Sequence, residues 1–357
     1  MESILVGMPG VAKYANLDLL RALAVLAVYV DHINTVLRFP WSKPRMWMLG
    51  RAGVLIFFVH TAYVLMMSME RTHQEDSWAI RFYIRRAFRI YPLSLFFIAL
   101  VIGILIPIGD WPSLQWTNRE LLANLPLLQN LFGLPSIHGN MWTLPFEIEM
   151  YLVLPLLSLL LVKRGSITTL AAFLFSGCAL GYVQILGLIP RPVFDFVPCF
   201  LGGVVAYYVR NRSTALFPAW LWPLALLGYG AAFVFLAPPY PTPTYEWTFC
   251  LFLGCFLPLF ANLRSPLIVW LSNRVATYSY GIYLAHYVIL WTFLRYLVLP
   301  WPVAWLGVAA CSIILPAALY HFLEHPMIET GKRITATDGV LKAQRQAIEE
   351  EAGTPVP

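Results

Sequence analysis

Ten apolar segments of helix-spanning length recur along the chain, at about 17–35, 53–69, 90–108, 142–162, 167–187, 194–209, 219–237, 247–263, 278–297 and 302–323. A helix needs roughly 20 apolar residues to cross ~30 Å of hydrocarbon, and lipid-exposed backbone is satisfied only in helices or closed barrels. The pattern predicts an all-α fold, a polytopic membrane bundle of about ten transmembrane helices whose core is the space between them. Connections are short, so residues 1–330 read as one transmembrane domain and 331–357 as a short polar cytoplasmic tail that frays after Glu349, Glu350 and Glu351.

The informative positions are the ionisable ones that interrupt this pattern. Arg21 and His32 share the first span with ten residues between them. At about 100° per residue, eleven steps return His32 to within ~20° of Arg21, roughly 16 Å further along the helix. Asp18 falls on the same stripe. Burying such groups against lipid costs ~2.5–3.5 kcal/mol each at mid-span, so the stripe must face protein or a watery cavity. A buried ion pair beside a satisfied core histidine is the plainer reading of the same residues. The fourth span opens Trp142-Thr-Leu-Pro-Phe-Glu147-Ile-Glu149-Met-Tyr151, which puts Glu147 and Tyr151 one turn apart on a shared face. Counted from the outer side, Glu147 is as deep as His32 on an oppositely directed helix. The two are expected to meet, the carboxylate holding the imidazole as a general base, unless Glu147 is only a structural anchor. Glu149 reads as interfacial.

The third span is introduced by Arg81, Arg85, Arg86 and Arg89, with Arg85 and Arg89 at i, i+4 spacing. Each suits a positive-inside anchor. Together with Arg21 they also suit a polyanionic nucleotide, because guanidinium forks bind phosphate oxygens bidentately. The ninth span, from Tyr278 through Tyr280 and Tyr283 to His286, offers a hydroxyl and imidazole ladder that lines a tunnel or joins helices. His60 and Thr61 make the second span more polar, and Glu324-His325-Pro326 closes the tenth.

Composition sharpens this reading. The chain is 59% hydrophobic and 12% charged, which leaves no room for a separate soluble catalytic domain. With the first terminus inside, sixteen Lys and Arg fall on the cytoplasmic side and seven on the other, placing both termini in the cytoplasm. No basic n-region or cleavage site precedes or follows the first span, so it is expected in the mature protein. The five cysteines are odd in number, sit in apolar runs and lack metal-ligand spacing, so neither disulfides nor a zinc site is expected. The outer loop 109–140, with Trp111, Pro112, Trp116 and Pro135, reads as a lid on the interface, and the Pro- and Tyr-rich 238–245 as a second one. No internal repeat is visible, which weighs against an inverted-repeat transporter.

Taken in order, these residues resemble the acyltransferase-3 family of integral membrane acyltransferases, from Leu17 to about Ile328. The likeness rests on Arg21 with His32, on Arg85-Arg86-Ala-Phe-Arg89-Ile-Tyr-Pro92, on Trp142 to Glu147 with Tyr151, on Ser279 to His286, and on Glu324 to Pro326. The resemblance implies transfer of an acyl group, usually acetyl, from cytoplasmic acyl-CoA to a hydroxyl of a carbohydrate or glycosylated acceptor, in a bacterial inner membrane and with no permanently bound cofactor. It implies His32 as base, with Glu147 and Arg21 in the catalytic set. Arg85, Arg86, Arg89, Tyr280 and His286 would face the donor, and Asp18, His60, Trp142 and Tyr151 the acceptor. The chain departs from the family at Phe57-Phe58-Val59-His60-Thr61-Ala62-Tyr63, where Ser and Gly are usual, which bears on the pocket's shape. Some members carry an appended extracytoplasmic hydrolase-like domain. None is expected here, so the bundle finishes the transfer or hands over to a partner. No Ser or Cys accompanies His32 on its helix, which favours direct attack over an acyl-enzyme. Nucleic acid is not an expected partner, and self-association is left open. The rival is a proton-coupled secondary transporter or exporter that uses His32 and Glu147 as a relay.

Overall fold

The computed structural model describes residues 14–37, 43–72, 77–106, 116–164, 166–189, 194–238 and 241–336. Among these the regular structure is helical, apart from one isolated bridge between Phe217 and Phe260. The helices are α1 (Ala15–Leu37), α2 (Lys43–Thr72), α3 (Trp78–Leu100), α4 (Asn118–Asn124), α5 (Leu144–Arg164), α6 (Ile167–Ile185), α7 (Val197–Arg210), α8 (Leu221–Leu236), α9 (Pro243–Phe256), α10 (Pro266–Trp291), α11 (Trp301–Leu319) and α12 (His325–Ile334). Wide π turns extend α3 through Leu105 and α10 through Tyr296, and a third joins α11 to α12 at Tyr320–Glu324.

Each of the ten expected segments falls on a helix, yet six helices are by themselves long and apolar enough to cross a membrane. These are α1, α2, α3, α5, α6 and the continuous run from α11 into α12. Helices α7, α8 and α9 have only 14 to 16 residues, short of the ~20 a straight crossing needs. The protein is thus an integral membrane helical bundle, with six clear spans rather than a demonstrated ten. Helix boundaries also outrun the apolar segments. Helix α3 starts at Trp78, so Arg81, Arg85, Arg86 and Arg89 are helical residues and not a preceding anchor strip.

Helix α2 is the hub, packed against α1, α5, α7, α8 and α9. Glycines allow this density at the α2–α7–α9 crossing. A Cβ on Gly203 would lie 2.3 Å from the Val59 carbonyl oxygen, and one on Gly254 would lie 2.0 Å from that of Gly202. Backbone cannot yield as a side chain does, so these positions admit hydrogen only.

The expected interfacial lid folds differently. After α3, residues 116–143 form α4, capped by a Thr117/Glu120 capping box, and two 3₁₀ turns at Gln129–Phe132 and Gly139–Thr143. Asn124, Gln129, His138 and Asn140 are buried. Asn124 fixes the return of the chain by donating to the Pro135 carbonyl (3.0 Å) and accepting from Ile137 N–H (3.0 Å). Asn130 likewise donates to Glu149, which is therefore an anchor for this segment and not merely interfacial. The segment re-enters the bundle because its uncharged polar side chains find backbone partners there. Trp111 and Pro112 of the expected lid, and the tail from Thr337, lie outside the described residues.

The glycine crossing is testable. Gly203→Ala and Gly254→Ala should each lower stability by about 1–3 kcal/mol as overpacking substitutions. Gly228→Ala, where a Cβ meets nothing within 4 Å, should be neutral or slightly stabilising. Midpoints of thermal unfolding in detergent, compared across the three variants, check the ranking.

Candidate functional site

Three arginines converge inside the bundle. Arg21 from α1 and Arg86 and Arg89 from α3 line a cavity of about 260 Å³, together with His60 and Thr61 of α2, Glu147 and Tyr151 of α5, and Ser279, Tyr280 and Tyr283 of α10. Arg21, His60, Arg86 and Arg89 also line an adjoining space of about 410 Å³ that reaches Asp18, Arg71 and Tyr320. The two spaces make one funnel at the α1 N-terminal end of the bundle. At its mouth Arg71 donates to the Tyr14 hydroxyl, and Asn273 donates to Asp18 (3.1 Å). Spacing explains the convergence. Arg86 and Arg89 are i, i+3 neighbours on α3, while His60, Thr61 and Val64 form the facing stripe of α2.

The funnel is rich in donors and poor in acceptors. The Nε atoms of Arg21 and Arg86 are fully buried with no hydrogen-bond partner among the described residues. Glu147 spends its carboxylate on the Tyr151 hydroxyl (3.1 Å). Glu324, on the π turn after α11, is 1% exposed and lies 3.9 Å from Arg89, too far for a hydrogen bond. Four arginines thus face the funnel against the carboxylates of Asp18 and Glu147, with Glu324 behind Arg89, which leaves room for an anion. The pairing expected on α3 is corrected. Arg85 turns away and donates from Nε to the Thr335 hydroxyl (2.7 Å), so Arg86 takes its place beside Arg89.

His32 is elsewhere. Its Nδ1 lies 2.9 Å from the Val28 carbonyl oxygen and 3.0 Å from Nε2 of His286. The rings stand edge to face with centroids 4.8 Å apart, and Tyr287 packs on the other side. The expected pair of His32 with Glu147 does not form, since Glu147 faces the arginine cavity. The re-entrant segment is the physical reason. It inserts a buried turn ahead of α5, so depth counted from the apolar run alone misplaces Glu147. The relay that motivated a proton-coupled transporter loses its second member by the same geometry. His286 stands beside His32 and does not line the cavity expected for a donor.

Between cavity and histidines stands a hydrogen-bonded partition. The Tyr283 hydroxyl donates to the Asn140 carbonyl (2.7 Å) and pairs with the Thr143 hydroxyl (2.8 Å). The Asn140 amide reaches Nε2 of His286 at 3.4 Å, and Phe57 closes on Tyr283 edge to face. His138, fully buried, donates from Nε2 to the Leu284 carbonyl (2.9 Å) and accepts the Asn140 N–H on Nδ1. Sequence reading passed over His138, Asn140 and Thr143, because nothing in a loop between spans shows that it turns inward.

A second polar centre was also missed. Arg51 of α2 forks onto Glu246 of α9 (2.5 and 2.8 Å), and its guanidinium lies over the rings of Phe196 (4.7 Å) and Trp142 (5.3 Å). Trp142, expected at the substrate, belongs to this clamp. The partners are 195 residues apart, and no local pattern joins them.

Comparison with known proteins agrees with the architecture. The sequence profile of the acyltransferase-3 family, described as an acyltransferase domain, matches residues 14–321. The chain belongs to this family. Among curated relatives, the peptidoglycan O-acetyltransferase OatA of Listeria monocytogenes is 25% identical over 89% of this chain and 56% of its own length. The putative peptidoglycan O-acetyltransferase YrhL of Bacillus subtilis is 24% identical over 89% and 55%. Nodulation protein 10 of Rhizobium leguminosarum bv. viciae is 24% identical over 90% and 95%. The chain therefore spans little more than half the length of the two peptidoglycan relatives it matches. No solved structure matches it. The residues matched by the family include the whole arginine cavity and both histidines of the His32–His286 pair.

The Arg51 clamp gives a stability test. Glu246→Ala should cost about 1–3 kcal/mol by leaving a half-buried guanidinium unpaired, whereas the double replacement Arg51→Met/Glu246→Leu should recover most of that loss. Unfolding midpoints of the single and double variants decide this.

Proposed function

We propose that this protein is a membrane O-acyltransferase that moves an acyl group, acetyl above all, from acyl-CoA to a hydroxyl of a carbohydrate acceptor. The observation that carries the donor assignment is the cluster of Arg21, Arg86 and Arg89 in one cavity, with two buried guanidinium Nε atoms lacking partners. Such donors suit the phosphates of a nucleotide, and family membership supplies the reaction class. The carbohydrate acceptor is supported by relatives named for peptidoglycan O-acetylation.

In this reading the donor enters by the wide mouth at Tyr14 and Arg71, and its thioester arm runs past Tyr280 toward Tyr283. His32, beyond the partition, takes the proton of the acceptor hydroxyl while that oxygen bonds the acyl carbon. The C–S bond breaks, the thiolate leaves, and the proton held by His32 ends on sulfur. The excess of Lys and Arg expected on the cytoplasmic side supports a reading with the funnel mouth facing the cytoplasm and His32 in the outer half of the bundle. Acyl-CoA then serves from within and the acceptor from outside, in a bacterial inner membrane.

Binding of acetyl-CoA to the detergent-purified protein, followed by calorimetry, tests the donor site. Arg86→Ala and Arg89→Ala should each weaken it at least ~10-fold, by loss of a charged hydrogen bond worth ~1.5–3 kcal/mol, while Arg85→Ala should leave it unchanged. Folded protein that binds no acyl-CoA would overturn the donor assignment. Separately, His32→Ala should abolish transfer and keep acetyl-CoA binding; retained turnover would remove His32 as the base.

A further inference from the structure

Hydrogen-bond geometry fixes the protons of the His32–His286 pair. A carbonyl oxygen only accepts, so an imidazole nitrogen 2.9–3.0 Å from one must carry hydrogen. His32 Nδ1 faces the Val28 carbonyl at 2.9 Å, and His286 Nδ1 faces the Ile282 carbonyl at 3.0 Å. Each neutral ring therefore carries its proton on Nδ1 and leaves Nε2 bare. On His286 the bare Nε2 is the atom that meets His32 Nδ1 at 3.0 Å, so the bond between the rings runs from His32 to His286. The Asn140 amide nitrogen, a donor only, approaches the same Nε2 at 3.4 Å and requires the same assignment. His32 Nε2 has no such partner among the described residues.

We infer that His286 is a positioning residue for His32: it shares the Nδ1–H with the Val28 carbonyl, holds the ring orientation with Nε2 as the free base, and keeps that bond when the ring becomes charged. The inference rests on the proposed role of His32 as general base. In a base of this kind the group behind the imidazole holds the tautomer and orientation, a task that carboxylates often perform. Here no carboxylate is hydrogen-bonded to either ring among the described residues. The ionisable groups that face His286 are His32 and Tyr29 of α1, His138 of the re-entrant segment and Tyr283 of its own helix. A neutral acceptor suits a site that must take up a proton and then return it, because it does not hold the imidazolium in an ion pair as a carboxylate would. His286 is itself held from three directions. Ile282 takes its Nδ1–H, Asn140 donates to its Nε2, and Tyr29 packs against its ring with centroids 5.5 Å apart. It is 1% exposed and packed on every side, as a group that only orients another should be.

The test compares His286→Met, which fills the space without accepting a strong hydrogen bond, with His286→Gln, whose amide oxygen reaches about as far as Nε2. Acyl transfer to the acceptor is followed at varied acetyl-CoA, with His32→Ala alongside. In His286→Met, kcat should fall ~10- to 100-fold while KM and Kd for acetyl-CoA stay unchanged, and His286→Gln should restore most of kcat. Loss of donor affinity in the Met variant would instead mark His286 as a donor contact and overturn the inference. Wild-type kcat in the Met variant, with His32→Ala inactive, would overturn it while leaving the base assignment intact. An active His32→Ala would remove the base assignment itself. Should the Met variant fail to fold, the Gln variant decides alone: near-normal kcat upholds a purely accepting role, and inactivity in folded protein overturns it.

Discussion

A guanidinium inside a hydrocarbon slab must find protein or water, and the arrangement of this bundle follows from that constraint. Arg21 sits near the start of α1, with Arg86 and Arg89 on α3, and lipid accepts none of them cheaply. They face inward together and so require a polar space between α1, α2, α3, α5 and α10. Mutual repulsion of three cations in a confined volume is relieved only in part by Glu147 and Glu324. A cavity with surplus donors results, and its unfilled hydrogen-bonding capacity is what makes it a site for an anion and not merely a flaw in packing. The polar face of α2, with His60 and Thr61, borders the same space.

The opposite half of the interior is organised by uncharged groups. The re-entrant segment carries His138, Asn140 and Thr143 into contact with α10, where backbone carbonyls of Tyr283 and Leu284 and the Tyr283 hydroxyl satisfy them. Their cost of burial is met bond for bond, as buried polar networks require. Because α10 also carries His286 against His32 of α1, this segment couples the wall of the arginine cavity to the histidine pair. From the other side, the Arg51–Glu246 clamp ties α2 to α9 and holds Trp142 of the same turn at the head of α5.

What the sequence made legible was local. The 3.6-residue period placed Asp18, Arg21 and His32 on one inward stripe of α1, and it put Tyr151 over Glu147, where the hydrogen bond is found. It also marked ten helices, though not which of them cross the membrane alone. Depth and partnership across the bundle were beyond it. Glu147 lies beside the arginines because a buried turn precedes α5, and hydropathy marks that turn as a loop without showing that it enters the bundle. Arg85 and Arg86 are chemically alike, and only the docking of α12, with Thr335 in reach of Arg85, separates them. His286 and His32 are 254 residues apart, and the contact between their rings appears only once both helices are built.

The partition between the two halves bears on the proposed chemistry. A thioester donor held by its phosphates among arginines is charged and large, whereas the group to be transferred is neutral and small. Tyr283, Thr143 and Phe57 close the cavity with two hydroxyls and a ring. In the proposed reaction a wall of that kind separates the nucleotide from the histidine pair. Exclusion of water protects a thioester from hydrolysis and strengthens hydrogen bonds to the developing oxyanion. The Thr143 and Tyr283 hydroxyls stand between the donor cavity and His32, with their protons spent on each other and on the Asn140 carbonyl. On this reading the wall is not an obstacle to the reaction but the place where it occurs, with cations confined to one side for the donor and neutral imidazoles to the other for the proton.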